Sequence, residues 1–320
     1  MVSNSLNAYF AKLELNYQEL LELIKTDPHE ALKRLYYAHV THFPYNNIEL
    51  RESSSQHPVH RQPLTFFNSP RMMKAGGYCF QSTALLYSVL TSLGYAPVFC
   101  EARILMGSPV NDAAILKLPV THVVLKVAVD DMVLLLEPSL GMQTPRYPIQ
   151  IDGINEPIIQ YKDDFRFYQE QGQYVLEKKM KGRWLTLMQT DLQQASIEVM
   201  AMNLSRLQWF PGPIGIRDEK TMVALVTDRG SKALFWDIHS SSLRYWLQED
   251  DTFTSRVISD WDEAVALLWT EFKIASSKLH FESCCRQACK HRPIRRWEIE
   301  LPITSSDWNE MRSNVAFQAP

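Results

Sequence analysis

Gly76-Gly77-Tyr78-Cys79-Phe80-Gln81, continuing through Leu85-Leu86, Val89-Leu90 and Leu93-Gly94, is the stretch on which the reading of this chain turns. Its apolar residues recur at three- and four-residue intervals, which predicts a helix beginning near Cys79. Gly94 stands where a C-terminal glycine ends such a run. The two glycines ahead of it allow a tight turn, so a thiol is set at the helix N-terminus. There the positive end of the helix dipole favours thiolate, the nucleophilic form of cysteine. The same pattern also suits a buried structural cysteine after a turn, because free cysteine behaves as a small hydrophobe.

Upstream the chain reads as helical. Asp27-Pro28-His29-Glu30 is a helix start, with Asp27 as cap, Pro28 in the first position and Glu30 where a capping-box acid belongs. Leu32, Leu35 and Tyr36 give the apolar stripe that follows. Downstream of Gly94 the period changes to two. Val98, Cys100, Ala102 and Ile104 face one way in Pro97–Ile104, and Glu101 and Arg103 face the other. Val120–Val129 and Met132–Leu136 form strands around an Asp130-Asp131 turn. Further hairpins are predicted at Lys181-Gly182, between Tyr174–Lys178 and Trp184–Leu187, and at Asp228-Arg229-Gly230, between Met222–Thr227 and Ala233–Trp236. Ser259 and Asp262 open a helix running through Phe272, and Trp297–Leu301 alternates like a strand. Helices followed by a run of strands and a smaller mixed region make the class α+β.

A thiolate nucleophile needs a base, and the base an orienting acceptor. His122 begins the strand His-Val-Val-Leu-Lys-Val; among apolar neighbours, a histidine is more often a satisfied core residue. Glu137, however, closes the apolar run Val133–Leu136, and a carboxylate buried there needs a partner. Counting outward from the Asp130-Asp131 turn puts His122 within a residue or two of facing Glu137. The pattern thus sets an imidazole beside a carboxylate.

These residues resemble the arylamine N-acetyltransferases. Gly76-Gly77-x-Cys79-Phe80-Gln81 with Leu85-Leu86-Tyr87 and Leu93-Gly94 is similar to that family's active-cysteine segment. Leu6-Asn7-Ala8-Tyr9-Phe10 resembles its N-terminal helix, and Phe43-Pro44-Tyr45-Asn46-Asn47-Ile48 its Pro-Phe-Glu-Asn-Leu segment. His122-x-x-Leu125-x-Val127 resembles its histidine strand. Glu137-x-x-x-Gly141 with Pro145-x-x-Pro148-Ile149 resembles its acid segment, and the fifteen-residue His-to-acid spacing agrees. The strong part spans residues 6 to 149; helix 259–272 and the strands before it look like the family's lid.

The resemblance implies a cysteine-proteinase-like core. Residues 1–95 would be a helical bundle with the nucleophile, 96–212 a β-barrel with histidine and acid, 213–280 an α/β lid, and 281–320 a C-terminal extension. It implies Cys79 as nucleophile, His122 as base and acid, and Glu137 as orienting acid. It further implies acetyl-CoA as acyl-donating co-substrate, with a role for Gly141 in holding it, and a small arylamine or hydrazine-like acceptor. Tyr45, Phe80 and the segment Leu207-Gln208-Trp209-Phe210 are candidates to line the substrate pocket, and equally candidates for plain core. Four departures from the family pattern stand out: Glu137 replaces Asp, Ala75 replaces Arg, Asn46 replaces Glu, and Pro138-Ser139 replaces residues leading to the flexible turn. Loss of both members of an opposite-charge pair at 46 and 75 is nearly neutral, whereas loss of one alone would strand a charge.

Other enzymes can be built on the same three groups, namely a peptidase, a transglutaminase, a hydrolase or an amide synthase. A catalytically silent binding protein of the same fold is the reading from a different class. A net charge of -3 gives no global attraction to nucleic acid or anionic membrane, and the basic run Arg292, Arg295 and Arg296 is short. No signal-peptide core and no stretch of ~20 apolar residues is seen. An odd count of 5 cysteines argues against a secreted disulfide framework and for a reducing cytoplasm. His280, Cys284, Cys285, Cys289 and His291 are zinc-capable but match no paired-ligand spacing, so a structural helix, and no metal, is expected there.

Overall fold

The computed structural model describes residues 2–52, 70–151, 157–209 and 219–286. The chain opens with α1 (Val2–Lys12), α2 (Tyr17–Thr26) and α3 (Pro28–His42). Asp27 serves two helices. Its carboxylate accepts from Glu30 N–H at 2.9 Å, starting α3, while its own N–H donates to Leu23 O at 2.7 Å, finishing α2. That second bond corrects the expected capping box. The donor Glu30 would reach back to is already used, and its carboxylate lies against Lys33 and Arg34 on the surface instead. A two-residue strand β1 (Tyr45–Asn46), α4 (Ile48–Glu52), α5 (Pro70–Ala75) and α6 (Cys79–Ser92) follow.

Helix α6 is apolar on nearly every side because it runs through the helical layer. Leu85, Leu86, Val89 and Leu90 are all fully buried, each contributing roughly 1.5–3 kcal/mol. It stops as its sequence predicts. Gly94 sits at φ 91°, its N–H bonding Thr91 O, and Tyr95 N–H reaches Leu90 O at 3.0 Å, the paired bonds of a glycine-terminated helix.

The barrel strands are β2 (Pro97–Ile104), then, after a short helix α7 (Ala113–Leu116), β3 (His122–Val129), β4 (Met132–Leu136) and β5 (Ile149–Gln150). A single 3₁₀ turn at Gly141–Gln143 lies between β4 and β5. After these come β6 (Ile158–Gln160), β7 (Asp163–Glu170), β8 (Gln173–Met180) and β9 (Arg183–Thr190). All neighbours are antiparallel, in the order β5-β4-β3-β2-β9-β8-β7-β6. The Gln160 amide spans the remaining gap, bonding Tyr147 N–H and C=O at 3.0 Å each, so the barrel is nearly closed. Alternation along β2 and β3 builds two cores at once. Val123, Leu125 and Val127 join Phe99 in the helical core, while Val124, Cys100 and Ala102 join Phe165 and Leu187 inside the barrel. The hairpin at Lys181-Gly182 forms as predicted, with both central residues at positive φ. Strand β7 buries Asp163, Phe165 and Phe167 on one face, the alternation of a half-buried strand.

Helix α8 (Ile197–Trp209) leads to β10 (Lys220–Thr227), β11 (Gly230–Asp237), β12 (Ser242–Glu249), β13 (Thr252–Ile258), α9 (Trp261–Phe272) and α10 (Lys278–Arg286). This second sheet has the order β1-β10-β11-β12-β13, so it recruits Tyr45 and Asn46, opposite Ala224 and Val223, from the region expected to be only helical bundle. The cap of α9 is Asp260, whose side chain accepts from Asp262 N–H at 3.1 Å, rather than Ser259 or Asp262. Helix α10 crosses the expected boundary at 280, burying Phe281, Cys284 and Cys285 against α9. Buried Arg51 donates Nε to Cys284 O at 2.7 Å and Nη2 to Cys285 O at 3.2 Å, placing a cation at the negative end of that helix. Among the described residues no group of three or more His, Cys, Asp or Glu is arranged to hold a metal. Cys289, His291, the basic run at Arg292, Arg295 and Arg296, the expected strand Trp297–Leu301, Phe210 and the side chains of Leu207, Gln208 and Trp209 lie outside the described residues. No described helix is long and apolar enough to cross a membrane.

Candidate active site

The glycine turn is laced to the segment ahead of β1. Gly77 N–H donates to Pro44 O at 3.1 Å, Asn46 N–H to Gly77 O at 3.0 Å, and Asn46 Nδ2 to Ala75 O at 2.6 Å. The two positions where the family pattern would carry opposite charges are therefore joined by a neutral hydrogen bond. Gly76 has φ 68°, and a Cβ there would lie 2.0 Å from Pro44 O. Gly76→Ala is expected to cost about 2–5 kcal/mol, through backbone strain and collision with a carbonyl that has no room to retreat. Urea unfolding of the variant measures it, and an unchanged midpoint would refute this account of the turn.

Cys79 is the first residue of α6 and is 7% exposed. The turn before it is capped by Gln81, whose Oε1 accepts from Tyr78 N–H at 3.2 Å and whose Nε2 donates to Glu49 Oε2 at 2.5 Å. The Cys79 sulfur lies 3.6 Å from Thr121 O, one residue before His122. Beside it, the Tyr78 hydroxyl is buried with no hydrogen-bond partner among the described residues. Such a group carries a desolvation penalty of ~1–3 kcal/mol. Tyr78→Phe is accordingly expected to raise the urea midpoint, and a lowered midpoint would mean that the hydroxyl is held.

His122 and Glu137 come together at the open end of the β3–β4 hairpin. The ladder runs Val129 opposite Met132 to Leu125 opposite Leu136, carrying both residues just past its last pair. Nε2 of His122 is 2.5 Å from Glu137 Oε2, with His122 2% and Glu137 1% exposed. The other carboxylate oxygen accepts from Ser139 N–H at 2.8 Å and Ser139 Oγ–H at 3.2 Å. Tyr36 of α3 donates its hydroxyl to the Glu137 backbone O at 2.7 Å. Burial alone would push the imidazole down. The Glu137 carboxylate and the hydrogen bonds to Cys79 and Glu137 outweigh it, raising His122 to about 10. A thiol, an imidazole and a carboxyl from three separate stretches are thus brought together in one buried cluster.

Other candidate residues fall differently. Tyr45 is half-buried beside this centre; burial, and then the Cys79 charge, hold its phenol well above the ordinary value. Phe80 is 1% exposed within the helical core, where its ring packs. Gly141, at φ 64°, has Met222 of β10 over it, with Cε 2.9 Å from where a Cβ would be, so its space serves the contact with the second sheet. Glu49, Thr121, Ser139 and Tyr36 were not picked out as site residues from the sequence. Gln81 belonged to the quoted motif, but its partner Glu49 carries no local signal.

A family model described as N-acetyltransferase matches residues 29–279. The arylamine N-acetyltransferase pineal gland isozyme of Gallus gallus is 25% identical over 158 residues, 49% of this chain and 51% of that protein, so the chain spans about half the length of the curated relative it matches. Among solved structures, Mycobacterium marinum arylamine N-acetyltransferase in complex with CoA superposes with a TM-score of 0.73 at 18% identity, covering 89% of this chain and 100% of that one. The Salmonella typhimurium enzyme gives 0.72 at 17% identity, covering 88% and 97%. The shared fold is α+β with a cysteine-proteinase-like core.

Proposed function

The chain belongs to this N-acetyltransferase family, and on that premise we propose that it moves an acetyl group from acetyl-CoA through Cys79 to an arylamine- or hydrazine-like acceptor. The single observation that carries the reading is the buried cluster in which Glu137 holds His122 at 2.5 Å while the Cys79 sulfur lies against Thr121 O, one residue before His122, and helps to raise the imidazole.

Cys79 thiolate attacks the thioester carbonyl; a bond forms from its sulfur to the acyl carbon, and the bond to the CoA sulfur breaks. The His122 imidazolium delivers its proton to the departing CoA thiolate. Backbone N–H groups in the first turn of α6 would hold the oxyanion, an interaction often worth ~3 kcal/mol. Acylation also changes the base. Two of the influences raising His122 come from Cys79, by hydrogen bond and by charge. Both weaken when sulfur becomes a neutral thioester, so the imidazole is less basic in the acyl-enzyme than at rest. His122 is thereby able to lose its proton in the first half-reaction and take one from the attacking amine in the second. Glu137 fixes the ring through its 2.5 Å bond to Nε2. The free thiol suits a reducing compartment such as the cytoplasm.

Intact-mass spectrometry after incubation with a panel of acyl-CoAs tests this. An acetyl increment on the wild type that an arylamine discharges and that Cys79→Ala lacks is the expected result. No increment from any donor would reject acyl-CoA as substrate, and discharge faster to water than to any amine would indicate a hydrolase.

A further inference from the structure

Beside the glycine turn, a cleft of about 330 Å³ opens between α4, the Lys74–Gly76 turn and the α9–α10 linker. It is at the small end of the range for organic ligands, and its lining combines opposite kinds of chemistry. Asn46, 5% exposed, commits Nδ2 to Ala75 O, while Oδ1 accepts from no described residue. Glu49 gives one carboxylate oxygen to Gln81, and the other likewise has no described hydrogen-bond partner. Both are acceptors. Lys74 and His280 are exposed at the same cleft, and Ile48 and Ile274 supply buried apolar lining.

A simple amine would satisfy Asn46 and Glu49 but bring its charge toward Lys74. A simple anion would suit Lys74 but face the Glu49 carboxylate. A zwitterion answers both, because unpaired charge of either sign is costly in a partly dry cleft. We propose that this cleft binds a small aliphatic α-amino acid. Its ammonium lies between Asn46 Oδ1 and the Glu49 carboxylate, its carboxylate points to Lys74, and its side chain rests on Ile48 and Ile274. The site is separate from the Cys79 sulfur and does not depend on acyl transfer. The two are nevertheless in communication: Glu49 holds Gln81, and Gln81 caps the turn that presents Cys79.

Calorimetric titration of the full chain with L-norvaline tests this, with n-butylamine and butyrate as single-charge controls. Norvaline is expected to bind at millimolar concentration or below, and each control at least about tenfold more weakly. Lys74→Ala, at an exposed position, and the isosteric Glu49→Gln should each weaken norvaline binding by at least about tenfold. Binding should persist after Cys79 is alkylated with iodoacetamide. No heat from norvaline, equal binding of either control, or undiminished binding in both variants would each overturn the assignment. None of these outcomes bears on whether Cys79 accepts an acyl group.

Discussion

Cys79→Ala is expected to lower acetyl transfer by about 10⁴-fold or more while leaving the fold intact. The size follows from the chemistry. Without sulfur there is no covalent intermediate, and the acceptor amine would have to attack the donor directly, with His122 and the first turn of α6 misaligned for that geometry. The fold should tolerate the change because Cys79 is a small side chain at the first position of α6, where alanine is a good helix former. Steady-state turnover with acetyl-CoA and an arylamine, alongside circular dichroism, checks both halves. Unchanged turnover in a folded variant would remove Cys79 from the reaction. Cys100 offers an internal contrast. Buried inside the barrel, its thiol is pushed up to about 11, first by burial. Iodoacetamide at neutral pH should therefore modify Cys79 well before Cys100.

Glu137→Gln should have the second largest effect, about 10³–10⁴-fold on turnover, as when a neutral amide replaces a triad carboxylate. The amide keeps the shape but loses the charge that holds His122 up. This variant also has a thermodynamic signature. His122 is raised to about 10 in the folded protein against an ordinary value near 6.5. Its contribution to stability is therefore fully present below about pH 6.5 and is lost as pH rises through about 10. Urea unfolding between pH 6 and 10 should show that alkaline loss in the wild type and a flatter profile in Glu137→Gln. Parallel profiles would mean that the carboxylate is not what charges the ring. Glu137→Asp restores the residue of the family pattern but withdraws the carboxylate by more than an ångström. Here Ser139 clasps one oxygen while His122 takes the other. The shorter side chain cannot meet both, and about a 10²-fold loss of turnover is expected.

The Glu137 and Asn46 positions show how the departures were absorbed. The longer acid is accommodated because Pro138-Ser139 returns a backbone N–H and a hydroxyl to it within two residues. The missing charges at 46 and 75 are replaced by a side chain reaching a backbone carbonyl. Both adjustments involve residues whose identities were visible in the sequence, but their geometry was not.

What the chain alone determined is whatever depends on near neighbours. The capped helix carrying Cys79, the Asp27 and Gly94 punctuation, the tight turns and the juxtaposition of His122 with Glu137 all follow from periodicity and hydrogen-bonding rules acting over a few residues. Only the folded structure decided what needs distant parts to meet. Cys79 and Thr121 are 42 positions apart, Tyr36 and Glu137 are 101, and Arg51 and Cys284 are 233. Nothing in the local pattern of Tyr36, Glu49 or Arg51 distinguishes them from ordinary surface or core residues. Their partners are chosen by how α3 packs on the β3–β4 hairpin and α4 on α6 and α10, packing choices that no short stretch of sequence contains.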